Sequence, residues 1–255
     1  MIENCPFLPK NVSGIGSKNI RNNGEIMIEG KEKFIERISH CLGRKTLPST
    51  PTPFILPHAV HHDYLRDADL DELAATFIKN SKASGTTIYQ CKPDDLNGVL
   101  IEAVTAFGGG RVLMADHDFF KVNNTFEAIN SHCKHLQMWD TNLSREENIA
   151  YAEQASVGIT MAELALAESG TVLLFSHLGS GRSVSLLPAY TITVIRKKDI
   201  RPRLTQAMSF LQEQIVTGLP SSINFISGAS STADIELVRV QGVHGPLAIS
   251  YIIVG

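Results

Sequence analysis

From Leu70 onward, segments with helical periodicity and short apolar runs take turns, and that alternation restricts the fold more than any other property of the chain. Leu70–Ala83 reads as a helix and Thr86–Cys91 as a strand. Asp94–Phe107 is a second helix, stopped by Gly108, Gly109 and Gly110. Arg111–Ala115 and His135–Trp139 are strands, and Ser144 with Glu147 forms a capping box that opens a helix reaching about Ala155. Parallel neighbours in a sheet need a crossover connection, usually a helix, so this rhythm predicts an α/β fold with a mainly parallel sheet flanked by helices on both sides. Beyond Val157 the segments shorten and glycines interrupt them. Thr191–Ile195 is a strand, Pro202–Thr217 a helix and Asn224–Ile226 a short strand, and Ile235–Val240 and Leu247–Val254 close the sheet. The break near residue 157 is a change of architecture inside one domain.

The expected organisation is therefore an α/β domain over 58–255, preceded over 1–57 by an arm, a helix and a proline-rich linker. Met1–Gly30 has no sustained period and is expected to be poorly ordered or an appended arm, with Met27 as a possible native start. Lys31–Leu42 sets Phe34, Ile35, Ile38, Cys41 and Leu42 on one helical stripe, with Gly43 as its stop. Thr46–Pro57 holds four prolines in twelve residues, which disfavours both helix and central strand.

Composition matters mainly for what it excludes. A net charge of −3 gives no concentrated basic face for nucleic acid or an anionic membrane. No apolar run approaches the roughly 20 residues of a membrane span. Cys5, Cys41, Cys91 and Cys133 lie far apart without a C-x-x-C pair, so neither a zinc ribbon nor an iron–sulfur site is expected, and no cofactor. With no secretory leader, they read as free thiols of a soluble, cytoplasmic protein. Gly14-Ile-Gly16-Ser-Lys18 lacks the spacing of a phosphate loop. His58, His61 and His62, like His132 and His135, have no second ligand pair at a metal-binding spacing, so no metal is expected.

Two stretches concentrate residues capable of chemistry. Gly158–Pro188 carries Thr160, Glu168, Gly170, Thr171, Arg182 and Ser183 among short apolar segments, which suits the rim of a pocket. With Leu164–Leu174 extended, Glu168 shares a face with Leu164, Leu166 and Leu174; a carboxylate there suits a general base, a nucleophile or a hydroxyl acceptor. Equally, it suits a structural acid that accepts turn amides or pairs with Arg182, and a helix over Thr160–Glu168 fits the pattern too. Gly179–Ser183 offers backbone amides and a guanidinium to a small carboxylate or phosphate, or is simply a hairpin tip. Ser227–Pro246 brings Ser230, Thr232, Asp234 and His244 beyond a strand end, where open α/β sheets bind ligands. Asp234 and the hydroxyls also suit capping, and Glu236 suits a structural place. No G-x-S-x-G elbow is present, so Ser-His-Asp hydrolysis has no support.

Gly158-Ile-Thr160, Ala167-Glu168-Ser-Gly-Thr171, Arg182 with Ser185-Leu-Leu-Pro188, Ser227-Gly, Thr232-Ala-Asp-Ile-Glu236 and Gly242-Val-His-Gly-Pro246 occur in that order. Together, over about Lys31 to Gly255, they resemble the LUD-domain family, in its lactate utilization protein C branch. The family usually carries Asp at the place of Glu163, Thr at Ser169, Pro at Ala229 and a basic residue at Ser231. The resemblance implies a fold similar to the sugar-isomerase and CoA-transferase group. It implies a part in oxidising L-lactate to pyruvate beside iron–sulfur partner subunits, with no redox centre in this chain. A stand-alone enzyme of acyl- or phosphoryl-transfer type, with Glu168 as its reactive group, and a ligand-sensing module are the alternatives on the same fold; His244, presented by a tight turn, suits a proton shuttle or a ligand-orienting donor.

Overall fold

The computed structural model describes residues 20–22, 25–27, 30–44, 58–216, 218–232 and 240–255, and the chain divides into two units, Met1–Pro57 and His58–Gly255. In the first unit, β1 (Ile20–Asn22) and β2 (Glu25–Met27) pair antiparallel, and α1 spans Lys31–Cys41. A stretch expected to lack regular structure thus contains a ribbon. Gly43 ends α1 as its sequence predicts: its φ of 68° is left-handed, and the amides of Gly43 and Arg44 bond back to the carbonyls of His40 and Ser39 at 3.0 and 2.9 Å. Phe34, Ile38 and Leu42 on the apolar stripe of α1 are exposed. The proline-rich linker at Thr46–Pro57 lies outside the described residues.

The second unit opens with the single turn α2 (Val60–Asp63) and then follows the predicted rhythm through α3 (Leu70–Ala83), β3 (Thr87–Cys91), α4 (Leu96–Ala106) and β4 (Arg111–Met114). Two short helices absent from the sequence reading, α5 (Asp118–Val122) and α6 (Thr125–Asn130), precede β5 (His135–Met138). Helix α7 (Arg145–Gln154) starts at the Ser144–Glu147 capping box. Strands β6 (Val157–Met161), β7 (Leu164–Leu166) and β8 (Thr171–Ser176) are followed by α8 (Ser183–Leu186), β9 (Tyr190–Arg196) and β10 (Ile200–Arg201). The chain closes with α9 (Leu204–Gln214), β11 (Ser222–Ile226), β12 (Ser231–Thr232), β13 (Val240–Gln241) and β14 (Ala248–Val254).

Six strands form one sheet in the order β3-β14-β9-β6-β4-β5, and every pairing in it is parallel. Its central strands are buried along most of their length, as apolar strands covered on both faces must be. The change of architecture after residue 157 is a second sheet, ordered β10-β7-β8-β11, in which β7, β8 and β11 run antiparallel. One core, including Leu100, Leu113, Phe120, Ile159 and Val194, packs between the parallel sheet and its helices. Another, with Phe77, Val172, Ile195 and Tyr251, joins α3 to both sheets. A third sets Leu164, Leu166 and Leu173 against Ala207 of α9. After β4 the chain moves outward to β5, and after β6 it moves the opposite way to β9. The switch point, where strand order reverses and where open α/β sheets as a class bind ligands beyond the strand ends, therefore lies between β4 and β6.

Candidate functional site

Backbone contacts hold the Glu168 turn rigidly. It joins β7 to β8, the Gly170 amide bonds to the Leu166 carbonyl at 3.0 Å, and Asn80 of α3 donates to the carbonyls of Ala167 and Glu168 at 2.9 and 2.8 Å. Gly170 sits at φ 62° with α3 so close that a Cβ would lie 2.7 Å from the Ser81 amide nitrogen, so only glycine fits. The stretch is not helical, and it is extended only on either side of residues 167–170, so Glu168 sits in the turn and not on a strand face. Glu168 pairs with a residue that its sequence neighbourhood did not suggest: Arg203 Nε donates to its Oε2 at 2.8 Å, while Arg203 Nη1 donates to the Val60 carbonyl at 2.7 Å. Arg182 lies past the other end of β8, whose six residues span about 20 Å at roughly 3.3 Å each. The hairpin therefore keeps Glu168 apart from the Gly179–Ser183 loop.

Thr171 joins the two chemistry-rich stretches. Its hydroxyl, on a buried residue, is 2.6 Å from those of both Ser169 and Ser227, because β8 and β11 pair with Val172 opposite Ile226. Tyr251 steadies the same corner: its hydroxyl donates to the Ile226 carbonyl, accepts the Gly228 amide, and is pushed by burial up to about 12. Thr160 is buried in β6. Ser230 is fixed by backbone bonds to Pro246 and Gly242, and Thr232 pairs with Val240 in the β12–β13 ribbon. His244 is exposed in the bend before β14, and Ser183 is half-buried at the start of α8 next to exposed Arg182. Asp234 and Glu236 lie outside the described residues. The two halves meet at Thr171 and Ser227, and no side-chain bond brings Arg182, Ser183 or His244 to Glu168 among the described residues.

A second cluster stands at the switch point, and the sequence reading did not assemble it. Met161 and Val194 form the last pair of β6 with β9; Arg196 ends β9, Glu163 follows β6 with its amide bonded to the Leu173 carbonyl of β8, and His117 follows β4 as the residue that caps α5. His177, the first residue after β8, adds a second imidazole, its ring centroid 6.1 Å from that of His117. Both rings are tethered alike. The Phe119 amide donates to His117 Nδ1, and the Gly179 amide donates to His177 Nδ1, each at 3.1 Å. A nitrogen that accepts cannot carry the proton, so each neutral ring keeps its N–H on Nε2.

Burial lifts the Glu163 carboxyl above its usual range, opposed by His177 and Arg196 and reinforced by Asp199. Burial also lowers His117, with His177 and Arg196 acting the same way and Asp118 and Asp116 opposing. The Arg196 Nε donates to Asp199, and Lys121 pairs with Asp116 at 2.6 Å. Glu163 makes no side-chain hydrogen bond or ion pair among the described residues. The loop from His177 lies across these strand ends: the Asp116 amide bonds to the Gly179 carbonyl at 2.7 Å, and a Cβ on Gly181 would meet the Trp139 ring at 2.4 Å. Hollows open beside these groups. One of about 110 Å³ includes His117, Phe120 and Lys121, and one of about 390 Å³ includes Phe119, Arg196 and Val254. The available signal was positional, an ionisable residue at the end of each buried strand or within three residues past it: Met114-Ala-Asp-His, Met161-Ala-Glu and Ile195-Arg. Among the described residues, no group of three or more His, Cys, Asp or Glu side chains could hold a metal ion, and no helix is long and apolar enough to cross a membrane.

The LUD domain family matches residues 74–254. Lactate utilization protein C of Bacillus licheniformis is 36% identical over 232 residues, covering 89% of this chain and 97% of its own length. Lactate utilization protein C of Shouchella clausii is 38% identical, covering 89% and 99%. A crystal structure of a DUF162 family protein from Deinococcus radiodurans superposes with a TM-score of 0.52 at 19% identity, covering 73% of this chain and 99% of that one, and shares the fold. With a family match across most of the α/β unit and relatives aligned over nearly their whole length, the chain belongs to the LUD domain family.

Proposed function

We propose that this protein works in lactate utilization, as a component without a redox centre of its own in the oxidation of L-lactate to pyruvate. The observation that carries the reading is the alignment, at over a third identity and almost end to end, with proteins named for lactate utilization. That oxidation releases two electrons and two protons. The four cysteines stand far apart in sequence and lack the spacing of a cluster-binding run, so we assign the electrons to iron–sulfur partner subunits and give this chain substrate binding or partner docking. A cytoplasmic location fits such an assembly.

Within this reading the Glu168 turn is the reactive or docking group. It is half-buried, fixed by Asn80 through two carbonyls and charged against Arg203, so its carboxylate is positioned before any ligand arrives. The expected outcome for Glu168→Gln is an intact fold, judged by circular dichroism, with loss of growth on L-lactate in a complementation strain. Undiminished growth would show that Glu168 is dispensable. Affinity purification from lactate-grown cells should recover iron–sulfur proteins with this chain; their consistent absence would remove the complex from the reading.

A further inference from the structure

We propose that the crevice where β4, β6 and β9 end binds a short carboxylic acid bearing an adjacent hydroxyl, with Arg196 and the His117 and His177 Nε2–H groups holding the carboxylate and Glu163 accepting from the hydroxyl. The proposal rests on the lactate reading only for its first probe. Its basis is the donor and acceptor set at the switch point, the place where an open α/β sheet offers a crevice. His117 and Glu163 each interact with both His177 and Arg196, and the two imidazole centroids are 6.1 Å apart, so His177 and Arg196 stand between the other two groups at the ends of β4, β6 and β9.

The chemistry of the four groups sorts a ligand's ends. Asp199 occupies Arg196 Nε, and the guanidinium makes no other hydrogen bond among the described residues, so its Nη groups are the donors available to an anion. With both Nδ1 atoms accepting backbone amides, each neutral imidazole offers one donor and no further acceptor. Glu163, half-buried and without a bonding partner among the described residues, is the one acceptor of the four. A hydroxyl can donate to it, whereas a ketone oxygen facing the carboxylate meets two lone pairs and no proton. The site therefore favours a 2-hydroxy acid over the matching 2-oxo acid. The raised proton affinity of Glu163 adds a direction: as pH falls through its range the carboxyl gains a proton, donates, and that preference shrinks. The other charges around it (Arg196, Asp199, Asp116, Asp118, Lys121 and the two histidines) change affinity for both acids alike, so the ratio of the two affinities reports Glu163.

The test is calorimetric titration of the full chain with L-lactate, pyruvate, propionate and inorganic phosphate at pH 8 and pH 5.5. Expected is binding of L-lactate in preference to the other three, by roughly tenfold to a hundredfold, the worth of a hydrogen bond to a charged group. Arg196→Gln should weaken all carboxylates. Glu163→Gln, whose amide both donates and accepts, should bring pyruvate level with L-lactate and abolish the pH dependence of their ratio, while His132→Asn changes neither. Circular dichroism of each variant separates loss of binding from loss of fold. Equal L-lactate affinity in the wild type, Arg196→Gln and Glu163→Gln would overturn the site, as would no heat with any carboxylate. A chain that restores growth on lactate yet binds none of the probes overturns this site and leaves the lactate reading standing; one that binds L-lactate through Arg196 without restoring growth does the reverse.

Discussion

Glu163 illustrates how one side chain couples stability to a ligand preference. Burial raises its proton affinity in the folded chain, so its contribution is most favourable below the unfolded value of about 4.3 and is lost as pH rises through the folded value. Replacing it with Gln removes that penalty. Glu163→Gln is expected to melt higher than the wild type at pH 8, by about 2 °C for a chain of this size, with the gap closing towards pH 4.5. Thermal scans at both pH values check this; an equal or lower melting temperature at pH 8 would mean that the ionised carboxylate is stabilised where it stands. A residue that the fold holds at a cost is a common mark of function. Sequence could not supply this, because Glu163, Arg196, His117 and His177 are scattered over eighty positions and come together only when the ends of distant strands do. Glu168, by contrast, was legible: its glycine turn announces itself. Its partner was not, since Arg203 reaches it from the start of α9.

Among the elements, β6 shows how closely the layers pack. A Cβ on Gly158 would lie 1.9 Å from the Val184 carbonyl oxygen of α8 and 3.0 Å from the Pro188 ring, and neither can retreat without moving α8 off the sheet. Gly158→Ala should therefore cost more than the roughly 1–3 kcal/mol of ordinary overpacking and leave little folded protein on expression. A variant with wild-type yield and melting temperature would show that α8 yields easily. The elements read correctly from sequence are those whose signals are local: α3, the Ser144 capping box of α7, the glycine stop of α1 and the apolar strands. The helices that escaped are α2, α5, α6 and α8, each six residues or fewer and too short for a helical period to register. The order of strands in the two sheets escaped for another reason, being a property of pairings between distant segments.

On the scale of the molecule, the three cores lie within residues 65–254, so the second unit holds its own stabilising interior. A fragment covering 58–255 is expected to unfold cooperatively, with a melting temperature within a few degrees of the whole chain. A broad, non-cooperative transition in that fragment would assign a stabilising role to Met1–Pro57. The placing of β14 has a consequence for how this unit forms. Among the described residues β3 has no other neighbour in the sheet, and its partner residues in β14 stand roughly 160 positions later, Ser250 opposite Thr87. On the ribosome, α3 and β3 must wait, with β3 unpaired, until β14 has been synthesised. Folding is then dominated by one long-range closure, and the nascent chain is most exposed to aggregation just before β14 emerges.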